Sequence, residues 1–289
     1  MPFEFSHDRE LTLQDLPTKQ QAVQSALEFV KQIKISWTKG KQYHDQGQVV
    51  HTYNTRHGND FWMARISHHP NPVGKGKKPK ADDEITFEVF KEFVLENHTA
   101  NELKYIPLLN AYRTHENDKT IPEDSPEGWK AYTVHYKFPK LFSDREMAVW
   151  VLAVQPDPQV KQFFVISLPS AHTVSTHLTR AVYCAIEVVT FKEEEGHVEW
   201  LMAQTSDARG SIPRWIQDKS VTASVAADVP SFIGWASQQI EERKQKKREE
   251  KNEEESAVDA TAEKAGNAAL ENNAVGTSHT GAGSVTGAL

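Results

Sequence analysis

Between residues 131 and 205, five segments rich in Val, Ile, Tyr, Phe and Trp follow one another with only short breaks. They are Ala131–Phe138, Met147–Gln155, Gln162–Leu168, Leu178–Phe191 and His197–Thr205, punctuated by Pro139, Pro156, Pro158, Pro169 and Gly196. Such composition reads as strand. Two parallel strands need a crossover of a dozen or more residues, and none of these breaks is that long. Consecutive strands therefore pair antiparallel, and the segment folds as a meander.

Helical patterns lie on both sides of it. Asp15 precedes Leu16 and Pro17, and Ala22, Val23, Ala26, Leu27, Val30 and Ile33 then recur at three- and four-residue spacing. Gln48 to Ser67 reads as two more strands, with Asn54–Asn59 as their turn. His68 to Asp83 reads as a solvated loop carrying Lys75, Lys77, Lys78 and Lys80. Ile85, Val89, Phe90, Phe93 and Val94 share a helical face, a second short helix is expected around Glu102–Leu109, and Asp118–Gly128 is a polar loop. A closing helix begins near Ser211 and Pro213 with Ile212, Trp215 and Ile216, and restarts at Asp228–Pro230 through Phe232, Ile233, Ala236 and Ile240. The expectation is an α+β fold: a curved antiparallel sheet around one long C-terminal helix, enclosing an apolar volume.

Charge and composition narrow the function. The net charge is −7, and Glu250–Leu289 alone holds seven acidic and two basic residues, leaving the body near −2. A body so close to neutral lacks the clustered Lys and Arg of a nucleic-acid surface. The hydrophobic fraction of 38% is below the ~45–50% of globular chains, mainly because the last forty residues have almost nothing to bury. The expected organisation is an N-terminal helical segment over 1–36, a main domain over 37–249 and a disordered tail over 250–289. The longest apolar run, Met147–Val154, is far short of the ~20 residues of a membrane span. The polar stretch Met1–Glu10 does not read as a signal peptide, so a cytoplasmic protein is expected. A single cysteine, Cys184, excludes an internal disulfide and a Cys-based zinc site. No His-Glu-x-x-His pattern, phosphate loop or Gly-x-Ser-x-Gly elbow occurs, so no metal and no cofactor are expected.

Several short stretches resemble one superfamily. Lys137–Phe138–Pro139, Leu141 and Asp144–Arg145–Glu146 are similar to the middle of START lipid-transfer domains. Thr205 to Trp215, with its Gly210–Ser211–Ile212–Pro213 turn, is similar to the START segment where the last strand gives way to the closing helix. Arg180 sits where that family usually keeps an arginine. Trp62–His68 and Glu96–Glu102 resemble the fungal branch known as DUF3074. The resemblance runs from about Trp37 to Gln239. It implies a helix-grip (START/Bet v 1-like) fold with an internal ligand cavity, and it does not name the ligand.

Candidate site residues are weighed against plainer roles. His135 lies in a strand whose other face carries Tyr132, Val134 and Tyr136; it orients a ligand carbonyl, acts as a general base, or simply faces solvent. Arg180 is placed on a face with Leu178, Val182, Cys184 and Ile186, where a charge is costly unless paired. It therefore meets either an internal carboxylate or an anionic ligand group, and Arg65, flanked by Met63 and Ser67, is treated alike. Asp207 is either a turn cap or a weak catalytic candidate. His68, Trp200, Met202 and Trp215 complete the expected cavity wall, with Trp215 as its roof. The leading expectation is a non-enzymatic carrier or sensor of a hydrophobic small molecule such as a lipid, sterol or polyketide. The alternative is an accessory factor for cyclisation or pyrone-forming release of a polyketide chain, with His135 as base and a polyketide synthase as partner. Whether the chain is an enzyme stays open at this point.

Overall fold

The computed structural model describes residues 1–58, 60–70, 85–115, 128–138 and 142–275. Thr18 starts helix α1 (Lys19–Lys31): its side chain accepts from the Gln21 N–H, while the Gln21 side chain accepts from the Thr18 N–H. This reciprocal cap satisfies two donors at the helix start. A short α2 (Ile33–Ser36) leads into β1 (Thr38–Asp45), β2 (Gln48–His57) and β3 (Asp60–Pro70). Next come α3 (Phe87–Phe90), which continues as a π-helical turn over Lys91–Leu95, and α4 (His98–Tyr105). Strands β4 (Leu109–Thr114), β5 (Lys130–Tyr136), β6 (Arg145–Val154), β7 (Gln162–Pro169), the two-residue β8 (Thr179–Arg180), β9 (Val182–Lys192) and β10 (His197–Asp207) follow. Helix α5 (Arg214–Val275) is the last element.

The strands form one sheet in the order β1-β2-β3-β10-β9-β7-β6-β5-β4, antiparallel throughout except where β8 runs parallel to β6. The five-segment meander is as expected. β1 and β4 were not anticipated, and both are polar, largely exposed edge strands with no hydrophobic alternation. The predicted short helix at Glu102–Leu109 begins earlier, at His98, and Leu109 already belongs to β4. Most of the lysine-rich loop and of the loop at Asp118–Gly128 lies outside the described residues.

The central strands β3, β6, β7, β9 and β10 are buried on both faces. Against the outer face the N-terminal segment and α1 place Phe5, Leu11, Ala22, Val23 and Ala26, which pack on Trp62, Ala64, Ile66, Phe164, Cys184 and Ile186. On the inner face Phe232 of α5 packs with Phe90, Tyr105 and Trp200 at ring separations of 5.0–5.3 Å. A strand buried on both sides shows no alternation of apolar and polar residues. β6 is buried at eight consecutive positions, and its sequence alone could not show which side was which.

The turn that starts α5 is held by Arg145. Its guanidinium donates to the Ala208 carbonyl at 2.7 Å and the Arg209 carbonyl at 3.3 Å, and also to the Ser143 carbonyl. Gly210 has φ +71°, a left-handed conformation that glycine reaches without strain. α5 is continuous across Pro230, where the sequence suggested a second start.

Two compact units divide the chain, Met1–Ser237 and Gln238–Leu289. The helix extends to Val275, whereas the sequence reading has an unstructured tail from Glu250. The Ala- and Glu-rich composition of this stretch supplies helix propensity that does not depend on burial. Residues 276–289 lie outside the described residues. Among the described residues, no helix is long and apolar enough to cross a membrane.

Candidate functional site

A cavity of about 340 Å³ lies between the inner face of the sheet, α4 and the first turns of α5. From β9, Tyr183, Ala185 and Glu187 line it; from β10, Met202, Gln204 and Ser206; from β3, Arg65. Each set follows the two-residue alternation of a strand. Helix α5 contributes Ile216, Ser220, Ser224 and Asp228, one stripe at four-residue spacing, with Ile212 from the turn before it.

Most of the wall is apolar, but one region concentrates charge. Arg65 is 1% exposed, and its guanidinium lies 3.8 Å from the centre of the Trp200 ring. Its Nη2 is 3.7 Å from Glu187 Oε2, while Nε and Nη1 are buried without a hydrogen-bond partner. Glu187 Oε2 also accepts from Trp200 Nε1 at 2.8 Å. The buried His98 donates Nδ1–H to the Val94 carbonyl at 2.8 Å and turns Nε2 toward Glu102 Oε1 (3.4 Å) and Glu187 Oε1 (3.9 Å). Burial alone favours a neutral ring; Glu102, Glu187 and the Val94 carbonyl outweigh it and hold the His98 pKa up at about 9. Burial raises the Glu187 carboxyl against the pull of His98 and Arg65, and it lifts Asp228 to about 7. In a low-dielectric wall a carboxyl sheds its charge unless a cation fully matches it.

Of the residues expected at the site, the structure brings Arg65 and Met202 to the cavity, with Trp200 directly beneath Arg65. The others lie elsewhere. Arg180 does not line the cavity: it donates to the His172 and Ser170 carbonyls at 2.6 and 2.5 Å and pairs with Glu10. The predicted strand Leu178–Phe191 breaks at Ala181, whose N–H bonds the Glu146 carbonyl. The alternation read from Val182 onward therefore does not extend back to Arg180. The cavity side of β9 is also the reverse of the expected one: Cys184 and Ile186 face the outer core, while Tyr183 and Glu187 face the cavity.

His135 points away from the cavity to Asp144 at 3.2 Å, and its neighbour Tyr136 lines the wall instead. Tyr132 packs edge-on against Tyr112, off the cavity wall. His68 is on the outer side of the sheet beside Glu199 at 3.2 Å. Asp207 accepts from the Arg209 N–H at 2.7 Å and pairs with Arg214, a turn-capping role. Trp215, the expected roof, is 69% exposed, and Ile216 takes that place. One residue along a helix turns the side chain by about 100°.

His98, Glu102, Glu187 and Asp228 were not singled out by the sequence reading. Glu187 carried a usable signal: a carboxylate between Ile186 and Val188 in an otherwise apolar strand. His98 and Glu102 lie in the segment that carried the family resemblance, four residues apart on one helix face.

The family model described as "Protein of unknown function (DUF3074)" matches residues 62–236. The chain belongs to the DUF3074 family. Two solved structures show what fold this DUF3074 protein adopts. Human STARD10 has a TM-score of 0.57 at 13% identity, over 83% of this chain and 86% of that one. Human StAR-related lipid transfer protein 5 also has a TM-score of 0.57, at 10% identity, over 76% of this chain and 97% of that one. Among curated protein sequences none is similar to this chain. The DUF3074 chain thus has the START helix-grip fold, a curved antiparallel sheet closed by a C-terminal helix.

Proposed function

We propose that this DUF3074 protein binds a hydrophobic small molecule in the cavity and carries or senses it in the aqueous phase. Arg65 carries the reading: a cation at 1% exposure, on the wall of a mostly apolar cavity, with two guanidinium nitrogens lacking a hydrogen-bond partner. Unmatched buried donors are expensive, and a ligand with a carbonyl, hydroxyl or carboxylate at one end supplies what they lack. The rest of such a molecule lies along Ile106, Met147, Val221 and Val225. The volume is at the lower end of the ~300–1,000 Å³ of small-molecule sites. The fold shared with a protein named for lipid transfer supports the same class of ligand.

The polyketide-cyclisation reading named His135 as its base, and His135 does not line the cavity but pairs with Asp144. The carrier reading rests on Arg65 and the apolar wall instead, and is preferred. Native mass spectrometry of purified protein before and after organic extraction tests it. The expected result is one extractable hydrophobic ligand per chain, or uptake of one from liposomes. Neither retention nor uptake in a folded sample would rule the proposal out.

A further inference from the structure

We infer that His98, Glu102 and Glu187 form a binding site for a divalent first-row transition cation of the zinc class, with its open coordination position facing the cavity. Their ligand atoms all lie within 4.8 Å of one another, and all three residues line the cavity. The inference does not depend on the proposed carrier function.

Three observations support it. The first is spacing. Nε2 of His98 is 3.4 Å from Glu102 Oε1 and 3.9 Å from Glu187 Oε1. Both separations exceed the ~2.7–2.9 Å of a charge-assisted N–H···O bond. They lie nearer the edge of a tetrahedron with metal–ligand bonds of ~2.0–2.1 Å, which is roughly 3.3 Å. Small movements would close the three atoms around one ion.

The second is orientation by outer partners. A carbonyl can only accept, so the 2.8 Å contact with Val94 keeps a proton on Nδ1, and it is Nε2, which a metal would bind in exchange for its own proton, that faces the two carboxylates. Metal-binding histidines are commonly fixed in this way through their other nitrogen. Glu187 is divided likewise: Trp200 Nε1 and Arg65 hold Oε2, which leaves Oε1 facing His98. Helix α4 presents His98 and Glu102 four residues apart on one face, and β9 brings Glu187 opposite them.

The third is Arg65, whose Nε and Nη1 are buried and unpartnered on the wall of the same cavity, beside Glu187. An anionic or enolate oxygen bound at the open metal position has a second contact ready there. One imidazole with two carboxylates and no thiolate suits zinc, cobalt, iron or manganese, and not copper(I).

The test uses the full-length chain, stripped with a chelator and titrated with Co²⁺ and, by competition with a chromophoric chelator, with Zn²⁺. One equivalent should bind, with the intense visible bands of four-coordinate Co²⁺. X-ray absorption on the Zn-loaded protein should show a single imidazole and otherwise oxygen. Glu102→Gln should weaken binding more than Trp200→Phe does, and Trp200→Phe, which frees the far oxygen of Glu187, should cost about tenfold. Asp8→Asn, at the separate His7/Asp8/Asp60 cluster, should leave binding unchanged. Circular dichroism checks that each variant folds, and if Glu102→Gln does not, Trp200→Phe and the absorption spectrum decide. The inference is overturned by absence of saturable binding, by a shell of two or more imidazoles, or by loss of binding in Asp8→Asn. A shell of several imidazoles would point to the neighbouring rings of His51, His68 and His197.

Discussion

Replacing Arg65 by methionine separates a ligand-binding role from a structural one, because the two predict opposite effects of a companion mutation. Methionine keeps most of the length that covers Trp200 and removes the charge. Arg65 sits 3.7 Å from Glu187, so the single variant leaves that carboxylate buried with Trp200 Nε1 and His98 as its remaining partners. Breaking one side of a buried pair costs up to about 3–5 kcal/mol. Protonation of Glu187, whose pKa burial already raises, lowers that figure. Arg65→Met combined with Glu187→Gln removes both charges and should recover most of the stability. Ligand affinity should not recover. A hydrogen bond from a charged donor contributes about 1.5–3 kcal/mol, so binding should weaken roughly 10- to 150-fold in both variants. Thermal melts report the stability, and titration with an NBD-labelled fatty acid, in wild type and variants, reports the affinity. Equal affinity in wild type and a folded double variant would refute the assignment, because the polar end of the ligand would then lie away from Arg65.

Three further outcomes are expected. Gly210→Ala forces a side chain into φ +71° with its Cβ 3.4 Å from the Arg145 guanidinium, so denaturant unfolding should show a loss of about 1–2 kcal/mol, and no loss would mean that the turn relaxes freely. Burial opposes ionisation of Glu199, but bonds and charge from His68, Lys34 and Lys192 hold its pKa down at about 2. The folded value is depressed, so its contribution is complete above about 4.5 and disappears as pH falls toward 2; Glu199→Gln should flatten the stability profile in that window, and an unchanged profile would deny the pairing. A chain ending at Lys247 should melt at the temperature of the full chain, since the residues that anchor α5, Val225, Val229, Phe232 and Ala236, all precede that point; a drop of several degrees would show that the remainder docks.

Much of the architecture is legible in local sequence. Tandem β-rich runs with short breaks dictate an antiparallel meander, and Gly210–Pro213 marks the departure of the closing helix. The residues quoted as family motifs turn out to hold that junction, through Arg145 and the carbonyls of Ala208 and Arg209. Among the site residues Arg65 and Met202 were within reach of the same reasoning, because each is a single position in a clear strand.

What the sequence by itself determined was which segments become strand or helix and in what order, since backbone preference and residue spacing act over a few neighbours. Which face of each strand lines the cavity was decided by the tertiary structure. The N-terminal segment and α1 cover the outer side of the sheet with Phe5, Leu11 and Val23, so apolar residues occupy both faces and alternation loses its meaning. Arg180 and Arg65 look equivalent in sequence, yet a break at Ala181 turns one toward backbone carbonyls near the surface and leaves the other sealed against Trp200. The charged cluster joins residues from β3, α4 and β9 within a few ångströms, with Asp228 of α5 on the same cavity wall, and only the folded sheet brings together elements so far apart in the chain.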